Sequence, residues 1–240
     1  MDFAELQKTW DGLAATDPLW AVLTDPTKKG NRWDLREFMA TGVTEIEALL
    51  ARIRQLEYPL RQARALDFGC GVGRLTQALA AHFGEVVGVD ISSKMLEVAR
   101  AHNAHGDRCR YVVNDTTDLR QFPDGQFDLV YSNITLQHVP ARYSKTYIGE
   151  FLRVLAPGGV AVFQIPGKRR LTLKALPRLL LPEPIVDRYR QARGTREMEM
   201  NVVSQKEVLG LVKGHRVVAI DEDHSVDQRW LSYRYFVAKT

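Results

Sequence analysis

Between residues 62 and 166, short β-rich runs alternate with helical ones: "RALDF", "RLTQALAAHF", "EVVGVD", "SKMLEVARAHNAH", "CRYVVND", "FDLVYSN", "RYSKTYIGEFLRVLA" and "GVAVFQIP". Such alternation is satisfied by parallel strands in one sheet with helices covering both faces. Runs such as "EVVGV" and "VAVFQI" are apolar throughout, as strands buried on both faces require. The tail adds a helical pattern, "SQKEVLGLVKG", and two strand patterns, "HRVVAIDED" and "SYRYFVAK", with a loop between them short enough for antiparallel pairing. The fold expected is α/β: a doubly wound, mostly parallel seven-stranded sheet with an antiparallel last strand.

Two segments frame that sheet. Residues 1–61 read as a helical N-terminal lid, through "FAELQKTWDGLAA", "DPLWAVL" with Asp17 as N-cap before Pro18, and "TEIEALLARIRQLEYPL". Residues 62–240 read as the sheet domain. Within it Pro166, Pro177, Pro182 and Pro184 break the rhythm, so 167–200 is expected as a cap insertion between strands five and six.

The stretch "ALDFGCGVGRLTQALA" runs from the first strand through Gly69, Gly71 and Gly73 into a helix. In open α/β sheets a ligand sits beyond the carboxyl ends of the strands, where a glycine turn lets backbone come close beside a helix N-terminus. Asp67 precedes the glycines, giving D-x-G-x-G-x-G in place of the G-x-G-x-x-G of dinucleotide sites. A carboxylate there repels a pyrophosphate and attracts a ligand that carries an ammonium and a sulfonium. The second strand ends in Asp90, about twenty residues on, where a carboxylate can accept both hydroxyls of a ribose. The third ends in "VVNDTTDL", which sets Asp115 where an adenine amino group needs an acceptor.

With "LDFGCGVGRLT", "VVGVDISSKMLEVAR", "YVVNDTTDL", "FDLVYSNITLQHVP" and "FLRVLAPGGVAVFQI" in this order, the chain resembles the class I S-adenosylmethionine-dependent methyltransferases. The resemblance covers residues 62–166 and implies S-adenosylmethionine as cofactor and S-adenosylhomocysteine as product. It implies a cofactor site of Asp67, Gly69, Cys70, Gly71, Gly73, Arg74, Asp90, Ile91, Met95, Asn114, Asp115, Thr116 and Asn133. In that set Gly69 to Gly73 line the methionine part, Asp90 holds the ribose, and Ile91 and Met95 flank the adenine. Asp115 with Thr116 meets the adenine edge, and Asn133 approaches the methionine end through its backbone.

His138, just after the fourth strand in "NITLQHVP", is the candidate catalytic base, since an alcohol acceptor has a proton to lose. The competing reading is that it packs the following helix. His224 and Glu199 lie in segments that could face the same pocket, which leaves a divalent metal open. Trp20, Arg32 and Trp33 gather in "DPLWAVLTDPTKKGNRWD", a segment able to close over a ligand.

Other classes fit less well. A nicotinamide reductase would share Asp90, but the Y-x-x-x-K from Tyr235 to Lys239 falls in a strand pattern. "SNITLQHV" departs from the N-P-P-Y-like motif of enzymes that methylate base amino groups, which argues against adenine or cytosine amino methylation though not against other RNA positions; with Tyr189 the only aromatic in the basic stretch 168–196, no nucleic-acid partner is expected. Lys and Arg concentrate over 168–196, readable as a solvated basic face, as contact to an anionic molecule or saccharide precursor, or as a membrane surface met by "LTLKALPRLLL". The acidic, amphipathic start and the lack of an eighteen-residue apolar run point to a cytoplasmic protein without membrane insertion. Cys70 and Cys109 lack the spacing of a disulfide framework or zinc site. The activity expected is O-methylation of a small hydroxylated acceptor such as a saccharide or secondary metabolite. N- or C-methylation of another metabolite or of a lipid or quinone precursor is the alternative, and a non-catalytic cofactor-binding partner subunit is the reading from another class.

Overall fold

A computed structural model describes residues 2–169, 200–225 and 229–240. Seven strands form one sheet: β1 (Arg64–Phe68), β2 (Glu85–Asp90), β3 (Cys109–Val113), β4 (Phe127–Ser132), β5 (Leu155–Arg169), β6 (Arg216–Asp223) and β7 (Trp230–Ala238). Their order is β3-β2-β1-β4-β5-β7-β6. All neighbours run parallel except β7, which is antiparallel to both β5 and β6. This is the sheet expected from the sequence. The order reverses between β1 and β4, so the carboxyl ends of β1, β2 and β4 border one crevice.

Side-chain alternation explains why both faces are covered. Leu66, Phe68, Val87, Val89, Val130, Phe163 and Val237 point into one core with α6 (Ala141–Val154) and α7 (Gln205–Leu211). Ala65, Val86, Leu129, Tyr131, Val160, Val162 and Phe236 point into the other, with α3 (Leu35–Gln55), α4 (Arg74–Ala80) and α5 (Ser93–Ala101). Burying one aliphatic or aromatic side chain of this kind stabilises by about 1.5–3 kcal/mol.

The N-terminal segment is helical, as expected: α1 (Phe3–Thr16) and α2 (Pro18–Val22) precede α3. Asp2 closes a capping box on α1, and Asp17 caps α2 ahead of Pro18 at its first position. The second oxygen of Asp17 accepts from Gly30 and Asn31 N–H at 2.7 and 2.9 Å, which ties the loop after α2 back onto its start. The proline-rich boundary differs from expectation. β5 continues past Pro166 to Arg169 through a register shift, because β7 pairs with Lys168 and Arg169 on the far side of it. The rest of the expected cap, including Glu199 and most of the basic stretch, lies outside the described residues. Among the described residues no helix is long and apolar enough to cross a membrane.

Candidate active site

The turn after β1 is built of left-handed backbone. Gly69, Gly71 and Gly73 have φ of 75°, 52° and 82°. A Cβ on Gly69 would lie 2.1 Å from Thr135 Cγ2, and one on Gly71 2.7 Å from Val22 Cγ2, so the loop is closed in by the turn after β4 and by α2. Val89 O accepts from Gly69 and Cys70 N–H at 2.8 and 3.0 Å. Asp90 Oδ2 accepts from Gly71 N–H at 2.8 Å and Oδ1 from Ser92 N–H at 2.9 Å. The carboxylate at the end of β2 is therefore fixed against the glycine loop. Burial raises its pKa to about 6, opposed by these N–H bonds.

Gly69, Cys70, Gly71 and Arg74 line a cavity of about 1550 Å³. Asp90, Ile91 and Met95 add a second wall, and Asn114, Asn133 and His138 a third. Four of the expected site residues are elsewhere. Asp67 lies beneath the loop, 1% exposed, where Thr76 Oγ1 donates to it at 2.6 Å and burial raises its pKa to about 7. Gly73 starts α4 under the Tyr111 hydroxyl. Asp115 is exposed, and Thr116 braces Asn114 from outside, its Oγ1 at 3.3 Å from Asn114 Oδ1. β3 ends at Val113, and it is Asn114 that turns inward, its amide donating to Tyr147 Oη at 3.0 Å.

A buried polar cluster that no motif announced backs this wall. Glu45 on α3 accepts from Tyr131 Oη at 2.7 Å and Asn133 Nδ2 at 2.6 Å through one oxygen, and from Arg74 at 2.8 Å through the other. Arg234 reaches Asn133 Oδ1 at 3.3 Å and pairs with Asp223 at 2.8 Å. With its side chain so held, Asn133 presents its backbone to the turn, where its carbonyl accepts from Thr135 Oγ1 at 3.0 Å. The next residue, Ile134, has φ of 56°. A β-branched residue in the left-handed region stores about 1–3 kcal/mol of strain, and such outliers gather at functional sites.

His138 ends the short turn Leu136–His138, is buried, and faces the cavity. Its ring meets Trp10 of α1 edge-on at 5.5 Å between centroids, and its Nε2 lies 3.0 Å from Gln137 Nε2. His224 is exposed and does not border the cavity, so it does not join His138. The N-terminal segment contributes Phe3, Leu6, Trp10, Trp20 and Trp33 to the wall, while Arg32 is exposed. α1 is moored to the β2–α5 turn by Ser92 Oγ to Asp11 Oδ1 at 2.6 Å and Gln7 Nε2 to Ile91 O at 3.2 Å. Cys70 and Cys109 are both buried free thiols.

Residues 66–163 match the family described as "Methyltransferase domain". A trans-aconitate 2-methyltransferase of Streptomyces avermitilis is 36% identical over 124 residues, 50% of this chain and 44% of that protein. A ubiquinone biosynthesis O-methyltransferase of Bordetella avium is 29% identical over 176 residues, 64% of this chain and 72% of that protein. The chain spans less than half the length of the first curated relatives it matches. Among solved structures, magnesium protoporphyrin IX methyltransferase from Synechocystis PCC 6803 with bound S-adenosylhomocysteine superposes with a TM-score of 0.65 at 16% identity, covering 100% of both chains. At that identity the likeness is one of fold.

Proposed function

We propose that this chain, whose residues 66–163 match a methyltransferase domain family, is a class I S-adenosylmethionine-dependent methyltransferase that methylates a small molecule, with a hydroxyl oxygen of a saccharide or secondary metabolite as the favoured site. The observation that carries this reading is one cavity whose walls bring together the glycine loop, Asp90 and His138.

The cavity fits the cofactor on its own chemistry. Backbone of Gly69, Cys70 and Gly71 lines it, and the carboxylate fixed against that loop, Asp90, has oxygens that keep a further lone pair for hydroxyl donors. Asp90 would hold the ribose, Ile91 and Met95 the adenine faces, Asn114 the adenine edge, and Gly69 to Gly71 the methionine part. When bound, S-adenosylmethionine supplies a methyl group on a sulfonium whose departure needs no acid. The chain's residues then have to align the acceptor, which can supply most of the rate. They also have to keep water out, for which the apolar lid side chains Phe3, Leu6 and Trp10 are placed. His138 takes the hydroxyl proton at a ring nitrogen as the acceptor oxygen forms its new bond to carbon, a contribution of roughly 10²–10⁴. Arg169, whose guanidinium lies 5.9 Å over Trp230 at the cavity wall, favours an acceptor that carries negative charge.

The test is calorimetric titration with S-adenosylhomocysteine, followed by turnover across hydroxylated acceptors in the parent, His138→Ala and His138→Gln. Binding that persists while both variants lose about 10²-fold or more in turnover supports the reading. Binding of NADH and no S-adenosyl ligand would remove the function, and unchanged turnover in both variants would leave alignment without a base.

A further inference from the structure

The hydrogen-bond directions around His138 can be fixed from a single backbone group. Ile134 N–H can only donate, and it meets Gln164 Oε1 at 3.1 Å. That sets the amide of Gln164, so its Nε2 is the donor to Ser232 Oγ at 2.6 Å and to Gln137 Oε1 at 3.2 Å. With its oxygen engaged in accepting, Gln137 turns its own Nε2 toward His138 Nε2 at 3.0 Å. An amide NH₂ offers only donors there, so the ring nitrogen opposite has to be the acceptor. Gln164 is 0% exposed and Gln137 4% exposed, which leaves little solvent to reorient either amide.

We propose that Gln137 and Gln164 are positioning residues that hold His138 as the neutral tautomer with its proton on Nδ1 and its lone pair on Nε2. The relay starts at the strained Ile134, crosses β5 and ends on the cavity wall. It gives two buried glutamines a task that packing alone does not require, because leucine or methionine would fill the same space without needing partners. The lone pair that takes a proton in the proposed reaction is the one Gln137 now satisfies. An acceptor hydroxyl and the Gln137 amide are thus alternative donors to one atom, and the amide keeps Nε2 free of a proton until the hydroxyl replaces it. The tautomer stands on hydrogen bonds alone, and only its use in turnover rests on the function proposed above.

Two-bond proton–nitrogen correlation spectra of the full chain labelled with ¹⁵N-histidine test this directly, with and without S-adenosylhomocysteine, the His138 signals being assigned by their loss in His138→Gln. The expected spectrum shows a proton-free Nε2 and a protonated Nδ1. Gln137→Glu presents a carboxylate oxygen in place of the amide donor, so Nε2 should become protonated in that variant. Where an acceptor has been found, turnover of Gln137→Glu should fall about tenfold or more with the affinity for S-adenosylhomocysteine unchanged. A proton on Nε2 in the parent, or rapid averaging of both tautomers, overturns the proposal whether or not the variant folds and whether or not methyl transfer is detected.

Discussion

Replacing Asp67 by Asn should make the protein more stable at alkaline pH while leaving it little changed near pH 4. Asp67 is 1% exposed and its pKa is raised to about 7, chiefly by burial, against an ordinary value of 3.8. The native state therefore holds a proton between about pH 4 and 7 that the unfolded chain has released, and stability falls as pH rises through this window. This is the reverse of the usual carboxylate. A shift of about three pK units at ~1.4 kcal/mol each puts the full cost of the buried charge near 4 kcal/mol above pH 7. Asn keeps the oxygen that accepts from Thr76 Oγ1 at 2.6 Å but adds N–H groups that need partners, so about 2–3 kcal/mol of net gain is expected at pH 8. Urea unfolding of parent and Asp67→Asn at pH 5, 6, 7 and 8 measures the difference. A gain that does not grow with pH across that range would refute burial as the dominant influence on this carboxyl.

Cofactor affinity should carry the titration of Asp90. Its pKa is raised to about 6 in the protein alone, and hydroxyl donors favour the ionised form, so binding of S-adenosylhomocysteine should weaken as pH falls through 6, by about tenfold between pH 7.5 and 5. Calorimetry of the parent should show this slope, and Asp90→Ala should lose both the slope and most of the affinity, since hydrogen bonds to a charged group contribute about 1.5–3 kcal/mol each. Glu45→Gln should cost about 3–5 kcal/mol in chemical denaturation, because Arg74, 4% exposed, is left facing an amide in place of its carboxylate at 2.8 Å.

What could be read in advance was local in sequence. The strand and helix runs, the three glycines and Asp90 each declare themselves within a few residues, because left-handed turns need glycine and buried parallel strands need unbroken apolar runs. The missed features join distant positions. Glu45 meets residues 29 to 88 positions away, and Gln164 reaches Ile134 and Ser232 across 30 and 68. An isolated Glu on a helix or Gln in an apolar strand carries no local mark of such partners. Ile134 gave no warning because its side chain is of the kind least suited to the conformation that its surroundings impose. Asn114, Asp115 and Thr116 follow the end of β3, where the direction of each side chain depends on how the backbone leaves the sheet, which the strand pattern does not specify.

The region that matches the methyltransferase family starts at residue 66, yet α3, which ends at Gln55, is built into it. Ile46, Leu49, Leu50 and Ile53 are part of the core over one sheet face, Arg52 makes a two-pronged ion pair with Asp221 on β6, and Glu45 holds three residues of the cavity's support. The matched block is consequently not portable. Exchanging residues 66–163 between this chain and a relative would leave Arg74, Tyr131 and Asn133 facing a foreign helix, so a working chimera has to carry α3 along with the sheet it serves.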